Sequence, residues 1–428
     1  MNKVDHPRIY IVISTFHPLV GGAETQAFVQ SRALRAKGYD ATILTFRYKK
    51  AWSSQEVIEE TPVIRIAGCL LNGRERYPRA LQQVVYMLAL LLLGWTLWQR
   101  RDEYDILHVY QLGLLALPTA LICRFTGKPL LIAVRSAGSG KSRDARATAS
   151  LLAGPLHPTT SALQVDGLSW VDGDLEGLLR LGYPISRLTH ALLKSVHTTI
   201  ILLSSRMKDY LAAHDFDLPG TLLIPNGVDI RRYHPLPSID FHERAHVVVC
   251  VAKLRYEKGV DVLLQAWRLV QQERPSARLI LVGDGPLQQQ LAYMVEVLEI
   301  TESVQFAGLR SDIPAQLHRG GIAALPSRWE GMPNALLEAM AYGLPCVATR
   351  VSGSEDLIQH ERNGLLVESE DYEGMAQALL TLLRNPLLAQ QYGQAARTTI
   401  EQRYSLEHIT DIYVKLYQSL YHQRQKKK

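Results

Sequence analysis

Along most of the chain, short apolar runs alternate with longer stretches of helical spacing. RIYIVIS at 8–14 is followed by ETQAFVQSRALRAKG at 24–38 and DATILTF at 40–46, and DILHVY, LLALPTALICRFTG and PLLIAVR repeat the order between 105 and 135. A run of this length followed by a helix-periodic segment and a second run predicts a strand, a crossover helix and a parallel strand. Repeated, that unit builds a Rossmann-like sheet. The regularity breaks over 136–177, rich in Gly, Ser, Thr and Pro, which predicts a mobile loop with an embedded helix. A helix near 186–195, the strand HTTIILLS, the helix SSRMKDYLAAHD and the strand TLLIPNGVD then resume the alternation.

The polar, proline-containing stretch RRYHPLPSIDFHERA at 231–245 reads as a linker and places a boundary near residue 230. Beyond it the pattern starts again with VVVCVAKL, VDVLLQAWRLVQQ, ARLILVGDG, PLQQQLAYMVEVLEI, VQFAG, IAALPS, NALLEAMAYG and PCVAT. The predicted fold is therefore α/β, with two Rossmann-like parallel-sheet domains, 1–230 and 231–405, facing across a cleft at the carboxyl ends of their strands. A helix over 406–422 and the tail QRQKKK, expected to be disordered, complete the chain at 406–428. A length of 428 residues with 47% apolar and 21% charged positions agrees with two globular domains and excludes a disordered or coiled-coil architecture.

One segment departs from the pattern. Val84 to Trp98 is almost wholly apolar and is flanked by Arg74, Arg76, Arg79, Arg100 and Arg101. Fifteen residues rise about 22 Å as a helix, short of the roughly 30 Å hydrocarbon core, so a span is not expected. Two readings stay open: a buried helix of the α/β domain, or an interfacial helix with Trp95 and Trp98 at headgroup depth.

Charge sharpens this. The formal net charge is +6, but residues 1–228 carry 25 basic against 18 acidic side chains, whereas 229–428 carry 22 against 23. The excess sits in the first half, where it would favour an anionic partner such as an acidic membrane surface. Cys69, Cys123, Cys250 and Cys346 are far apart and have no metal-ligand spacing, which fits a reducing, cytoplasmic setting. The N-terminal apolar stretch, Ile9 to Ile13, is too short for a signal peptide and reads as a first strand. No aromatic-interleaved basic stripe suggests nucleic acid.

The sharpest chemical signal is Glu330-Gly331-Met332-Pro333-Asn334-Ala335-Leu336-Leu337-Glu338 followed by AMAYGLPCVAT. Gly331 and Pro333 let backbone approach a ligand, the helix beginning near Asn334 offers free N–H groups to a phosphate or sugar hydroxyl, and Glu338 could take a ribose diol. Gly21 and Gly22 open a helix after the first strand, a second place where a diphosphate could meet backbone amides. Lys258, with Lys253 or Arg255 before it, follows the strand HVVVCVA, and fixed cations there would neutralise charge on a departing diphosphate. Gly283 and Gly308 each sit in turns after strands. Asp172-Gly173-Asp174 and Asp215-Phe216-Asp217 have the spacing of a metal-binding DxD but follow no strand, so no metal site is expected.

The string EGMPNALLEAMAYGLPCVAT resembles the glutamate-x7-glutamate signature of the retaining, nucleotide-sugar-dependent glycosyltransferases of the GT-B fold, specifically their fourth family, glycosyl transferases group 1. HPLVGGAE, DILH, IPNGVD, RYEKG, LVGDGPL, FAGLRSDI, PSRWEG and NGLLV extend the resemblance through most of the chain in the family's order. It implies a metal-independent sugar transfer from a nucleoside-diphosphate sugar, which is the donor substrate and not a resident cofactor, to a glycan or lipid-linked acceptor. It further implies that Gly21 and Gly22 close on the diphosphate and acceptor, that Lys253 and Lys258 hold the phosphates, that Glu330 and residues 331–334 hold the sugar and Glu338 the ribose. Phe306 to Leu309, including Gly308, would read the base, and Gly353 to Glu355 would lie on the sugar side or form a plain turn. The first half departs from the family pattern: His108 is present as a candidate catalytic residue, but Tyr110 replaces a second histidine and Arg135 a third. Two other readings of the same fold are a nucleotide-sugar 2-epimerase, against which the EKG and EGMP strings speak, and a non-catalytic sugar-nucleotide-binding module.

Overall fold

The computed structural model describes residues 6–19, 21–73, 77–135, 183–214, 216, 218, 220–235 and 241–427. The broken stretch at 136–177 and the aspartates of both DxD strings lie outside them. The chain divides into two compact units, one formed by Met1–Pro225 with Ile409–Lys428 and the other by Asn226–His408.

The first unit is built on an eight-stranded sheet in the order β3-β4-β2-β1-β5-β6-β7-β8. Its strands are β1 (Ile9–Val12), β2 (Ala41–Phe46), β3 (Gln55–Ile58), β4 (Thr61–Ile66), β5 (Ile106–Val109), β6 (Leu130–Val134), β7 (Thr199–Leu202) and β8 (Thr221–Leu223). All neighbours pair in parallel except β3 with β4, which form an antiparallel edge hairpin. β1, β2, β5, β6 and β7 are buried along their whole length, as expected of strands covered on both faces. On one side Ala27 and Leu34 of the helix Gly22–Ala36 pack into a core with Ile409, Tyr413 and Tyr417 of the helix Leu406–Lys427. That last helix continues through the tail expected to be disordered, ending only at Lys427, and its buried face ties the chain's end to the first unit.

The apolar segment near residue 90 also differs from expectation. It belongs to a 21-residue helix, Arg79–Gln99, because Arg79 to Gln83 extend it by more than a turn before the apolar run and Pro78 stands at its N-cap. At about 1.5 Å per residue it is roughly 31 Å long. It is neither wholly buried nor wholly exposed: Tyr86, Ala89, Leu90, Leu93 and Leu97 pack inward, while the opposite side faces outward.

The second unit carries a six-stranded, all-parallel sheet in the order β11-β10-β9-β12-β13-β14. Its strands are β9 (Val247–Val251), β10 (Arg278–Val282), β11 (Val304–Gly308), β12 (Ile322–Leu325), β13 (Cys346–Thr349) and β14 (Leu365–Val367). The helix Val260–Glu273 lays Leu263, Leu264, Ala266, Trp267 and Val270 into the core at helical spacing, and the Trp267 indole N–H donates to Ser303 Oγ at 3.1 Å. The carboxyl ends of β9 to β13, or the segments leaving them, carry the sequence-predicted residues of this half, and the one after β14 carries none.

Candidate active site

The loop after β9 holds Lys253, Arg255 and Lys258; the loop after β12 holds Ser327 to Pro333. Lys258 Nζ lies 2.6 Å from Glu330 Oε1, and Ser327 Oγ donates to the same oxygen at 2.8 Å. Both side chains of the ion pair are largely shielded, 23% exposed for Lys258 and 9% for Glu330. Two residues 72 positions apart in sequence thus form one polar pair at the edge of the sheet. Lys253 remains exposed and Arg255 half-buried on the same loop.

Arg328 locks the two loops together. Its backbone N–H donates to Glu257 O at 2.8 Å and its guanidinium to Tyr256 O at 2.7 Å, and it meets Asp261 with two parallel bonds of 2.8 and 2.7 Å. It also pairs with Glu370 and stacks over the Tyr256 ring at 4.0 Å. The Arg328 and Asp261 side chains are each only 4% exposed. A fork held at both ends this way keeps the Tyr256–Lys258 turn and the Glu330 loop in one register.

Glycines set how closely these loops approach. Gly283 has φ +138°, and a Cβ there would sit 2.0 Å from Ala252 O; its own N–H donates to Gly308 O at 2.9 Å, so both predicted turn glycines join one backbone layer. Gly353 has φ +80°, and a Cβ would meet Gly331 O at 2.5 Å, which packs the 350–353 loop directly under the Gly331-Met332-Pro333 turn. Gly331, Met332 and Pro333 are buried, and Pro333 is the N-cap of the helix Asn334–Ala341. Asn226, from the IPNGVD string, donates to Asn334 Oδ1 at 2.9 Å and to Met332 O at 3.4 Å.

Glu338 lies on the inner face of that helix. Burial pushes its carboxyl up to about 7, and the Tyr233 hydroxyl, which donates to it, together with the charge of Arg232, offsets only part of this. Burial and the neighbouring carboxyl in turn hold the Tyr233 hydroxyl well above its ordinary range. Arg397 supports the segment by donating to Tyr233 O and Ala341 O and, at 3.2 Å, to Ile230 O. Asn226, Tyr233, Arg328 and Asp261 had no assigned role in the sequence. The IPNGVD and PSRWEG strings pointed at two of them, but a tyrosine in a linker-like stretch carries no periodic signal.

The predicted residues of the first half lie in the first unit. Gly21 is the N-cap and Gly22 the first residue of the first helix, a residue pair earlier than expected from Glu24. His108, the candidate catalytic residue of this half, lies inside the fold. It sits on β5 opposite Ile11 and Leu131, is fully buried, and its Nδ1 is 2.7 Å from the Tyr417 hydroxyl. Tyr110 and Tyr413 pack on its ring, and the Arg135 guanidinium stacks over Tyr110 at 3.9 Å. Burial first, and the Arg135 charge second, hold the imidazole well below its usual range and neutral. Its hydrogen-bond partner Tyr417 is supplied by the last helix.

Comparison with known proteins places these features. Residues 20–232 match the family model described as Glycosyltransferase Family 4, and residues 245–385 match Glycosyl transferases group 1. The chain is 26% identical over 411 residues to the N-acetyl-alpha-D-glucosaminyl L-malate synthase of Bacillus anthracis, covering 94% of this chain and 95% of that one. It is 30% identical over 177 residues to the UDP-Gal:alpha-D-GlcNAc-diphosphoundecaprenol alpha-1,3-galactosyltransferase of Escherichia coli, 39% of this chain and 46% of that protein. An uncharacterized glycosyltransferase of Haemophilus influenzae is 34% identical over 38% of this chain and 46% of its own, so the match spans about half the length of these last two relatives. In fold, the chain is similar to Anabaena Alr3699/HepE in complex with UDP and glucose, with a TM-score of 0.69 at 19% identity over 97% of this chain and all of that one. It is also similar to the sucrose-phosphate synthase of Thermosynechococcus elongatus, with a TM-score of 0.73 at 18% identity over 97% and 99% of the two chains. With two parallel sheets, the glutamate-x7-glutamate loop and both family models in agreement, the chain belongs to the glycosyltransferases of the GT-B fold, family 4.

Proposed function

We propose that the protein transfers a sugar with retention of configuration, without a metal, from a nucleoside-diphosphate sugar to a lipid-linked or cell-surface glycan. The observation that carries the reading is the shielded Lys258–Glu330 pair, held with Ser327 on two loops that Arg328 locks together. Lys258, with Lys253 and Arg255 on the same loop, faces the diphosphate and neutralises the charge that grows as the glycosidic bond to phosphate breaks. Donor binding then draws Lys258 toward phosphate and leaves Glu330 to accept hydroxyls of the sugar. Backbone amides of the Gly331–Asn334 turn complete the sugar's contacts, and the ionised Glu338 accepts the ribose diol. As the family resemblance implies, the acceptor hydroxyl attacks from the face the leaving group departs: its oxygen bonds to the sugar's anomeric carbon as the bond to phosphate breaks, and a phosphate oxygen takes the proton. The name of the E. coli relative and the basic first half support an acceptor carried on an anionic lipid carrier, and four unpaired cysteines support a reducing, cytoplasmic setting.

The test is a panel of nucleotide sugars incubated with the purified chain in the presence of a chelator. Release of nucleoside diphosphate is followed by mass spectrometry and the anomer of the product by NMR. Hydrolysis or transfer with a retained anomer is expected. A strict requirement for manganese, an inverted anomer, or conversion of the free nucleotide sugar at C2 would overturn the reading.

A further inference from the structure

Three helices lie side by side in the first unit, Arg79–Gln99 against Ala116–Thr126 and Ala116–Thr126 against Tyr183–Ser195. The first of them passes, by length and composition, for a helix that could cross a membrane. Its outward residues are Leu81, Val84, Leu88, Leu91, Trp95 and Trp98, whose spacing of three and four repeats along five steps, a single stripe down one side. Leu91 is 70% exposed and Trp95 58%. The stripe does not stand alone: Leu121 and Phe125 are exposed on the second helix and Leu188 on the third. Large apolar side chains exposed together on three neighbouring helices mark an interaction site.

The charge carried by the three helices themselves has one sign, and the exposed Asp102 and Glu103 lie only beyond the end of the first. None of the three helices contains an aspartate or a glutamate, although the chain has 41 of them. Arg124, Arg187 and Lys194 are exposed on the second and third helices, and the Arg101 guanidinium stacks on the Trp98 ring at 5.0 Å, just past the end of the first. We propose that the three-helix face docks on an anionic lipid bilayer, with Arg79–Gln99 lying in the plane of the interface. Leu91 and Trp95 enter the acyl boundary, Trp98 sits at headgroup depth, and the basic side chains meet lipid phosphates. The helix does not cross, because Tyr86, Leu93 and Leu97 on its other side are part of the unit's interior and would have to leave it. A second copy of the chain fits the face less well, since two such surfaces would bring the basic side chains of the second and third helices together with no acidic group on either helix to meet them.

The experiment is flotation of the full-length chain with vesicles of phosphatidylcholine, with and without phosphatidylglycerol. Co-flotation with the anionic vesicles is expected, falling about fivefold for each of Arg124→Gln and Lys194→Gln. A Leu91→Glu/Trp95→Glu variant is expected to lose it while its thermal unfolding midpoint and nucleotide binding stay unchanged. In the wild type, quenching of tryptophan fluorescence by lipids brominated on the upper acyl chain is expected on binding. Absence of flotation with anionic vesicles, or flotation that the double glutamate variant retains, overturns the proposal. So does a concentration-dependent dimer that the double variant dissolves without any vesicle binding. None of these readouts uses turnover, so failure here and failure of the sugar-transfer reading are separate results.

Discussion

The two units use the same parallel α/β layering to different ends. In the second, charge is paired and loops are stitched tightly: Arg328 with Asp261, Lys258 with Glu330, Gly353 against Gly331. In the first, the polar cluster at the equivalent end of β5 is closed over by aromatic rings, and the conspicuous surface is apolar and basic instead. A sheet needs only its strands and crossover helices to be stable, so what its loops and outer faces carry is free to differ. Matched charge at loop tips is what a small anionic donor requires, and a broad apolar face is what a large partner requires.

Substitutions should separate the two units along that line. Arg328→Ala leaves Asp261 buried without its partner and should cost about 3–5 kcal/mol of stability, read by urea unfolding. Arg328→Lys should restore only part, having lost the two-pronged geometry. A cost close to zero would mean the loops are held by something other than this fork. Lys258→Ala should lower kcat by about 10²–10³ if the lysine neutralises the leaving diphosphate. An unchanged kcat with a weaker KM would reduce it to a ground-state contact.

In the first unit the opposite balance is expected. His108→Ala strands the buried Tyr417 hydroxyl and should cost about 1–3 kcal/mol in unfolding experiments, with turnover of the folded enzyme unaltered. A loss of kcat on the scale of Lys258→Ala, without loss of stability, would return His108 to the catalytic residues and erase the contrast.

The second unit also carries a pH dependence of its own. Glu338 has its carboxyl raised from an ordinary 4.5 to about 7. The folded chain therefore holds an extra proton between those values, so this group's contribution to stability is complete below pH 4.5 and is lost as pH rises through 7. If Glu338 takes the ribose diol as proposed, nucleotide binding runs the other way, because the hydroxyls would donate to the ionised form. Affinity for nucleoside diphosphate, measured by calorimetry, should rise by up to about tenfold per pH unit below 7 and level off above it. Glu338→Gln should flatten the profile.

Much of this was legible in the chain itself. Apolar runs such as VVVCV and RLILV became β9 and β10 as read, and the motif residues Lys258, Gly283, Gly308, Glu330 and Glu338 all came to one edge of one sheet. They were readable because strand period and loop position are local properties, and because a glycine needed for close approach is visible as a glycine. Tyr233 and Asp261 were not, since their partners Glu338 and Arg328 lie 105 and 67 positions away and nothing local marks a side chain that supports another. The surroundings of His108 were hidden for the same reason: its neighbour Tyr417 is 309 residues downstream, on a helix with no signature of its own.

The sequence by itself determined which segments are strands and helices, the glutamate-x7-glutamate string that marks the family, and the half of the chain that holds the basic excess. Only the tertiary structure decided which of those groups meet, that Lys258 pairs with Glu330, that the last helix seals His108, and which side of Arg79–Gln99 faces water. Periodicity and motif are set by neighbours a few residues away. Burial, pairing and exposure are set by whichever distant segment packs on top, and packing is a property of the folded whole.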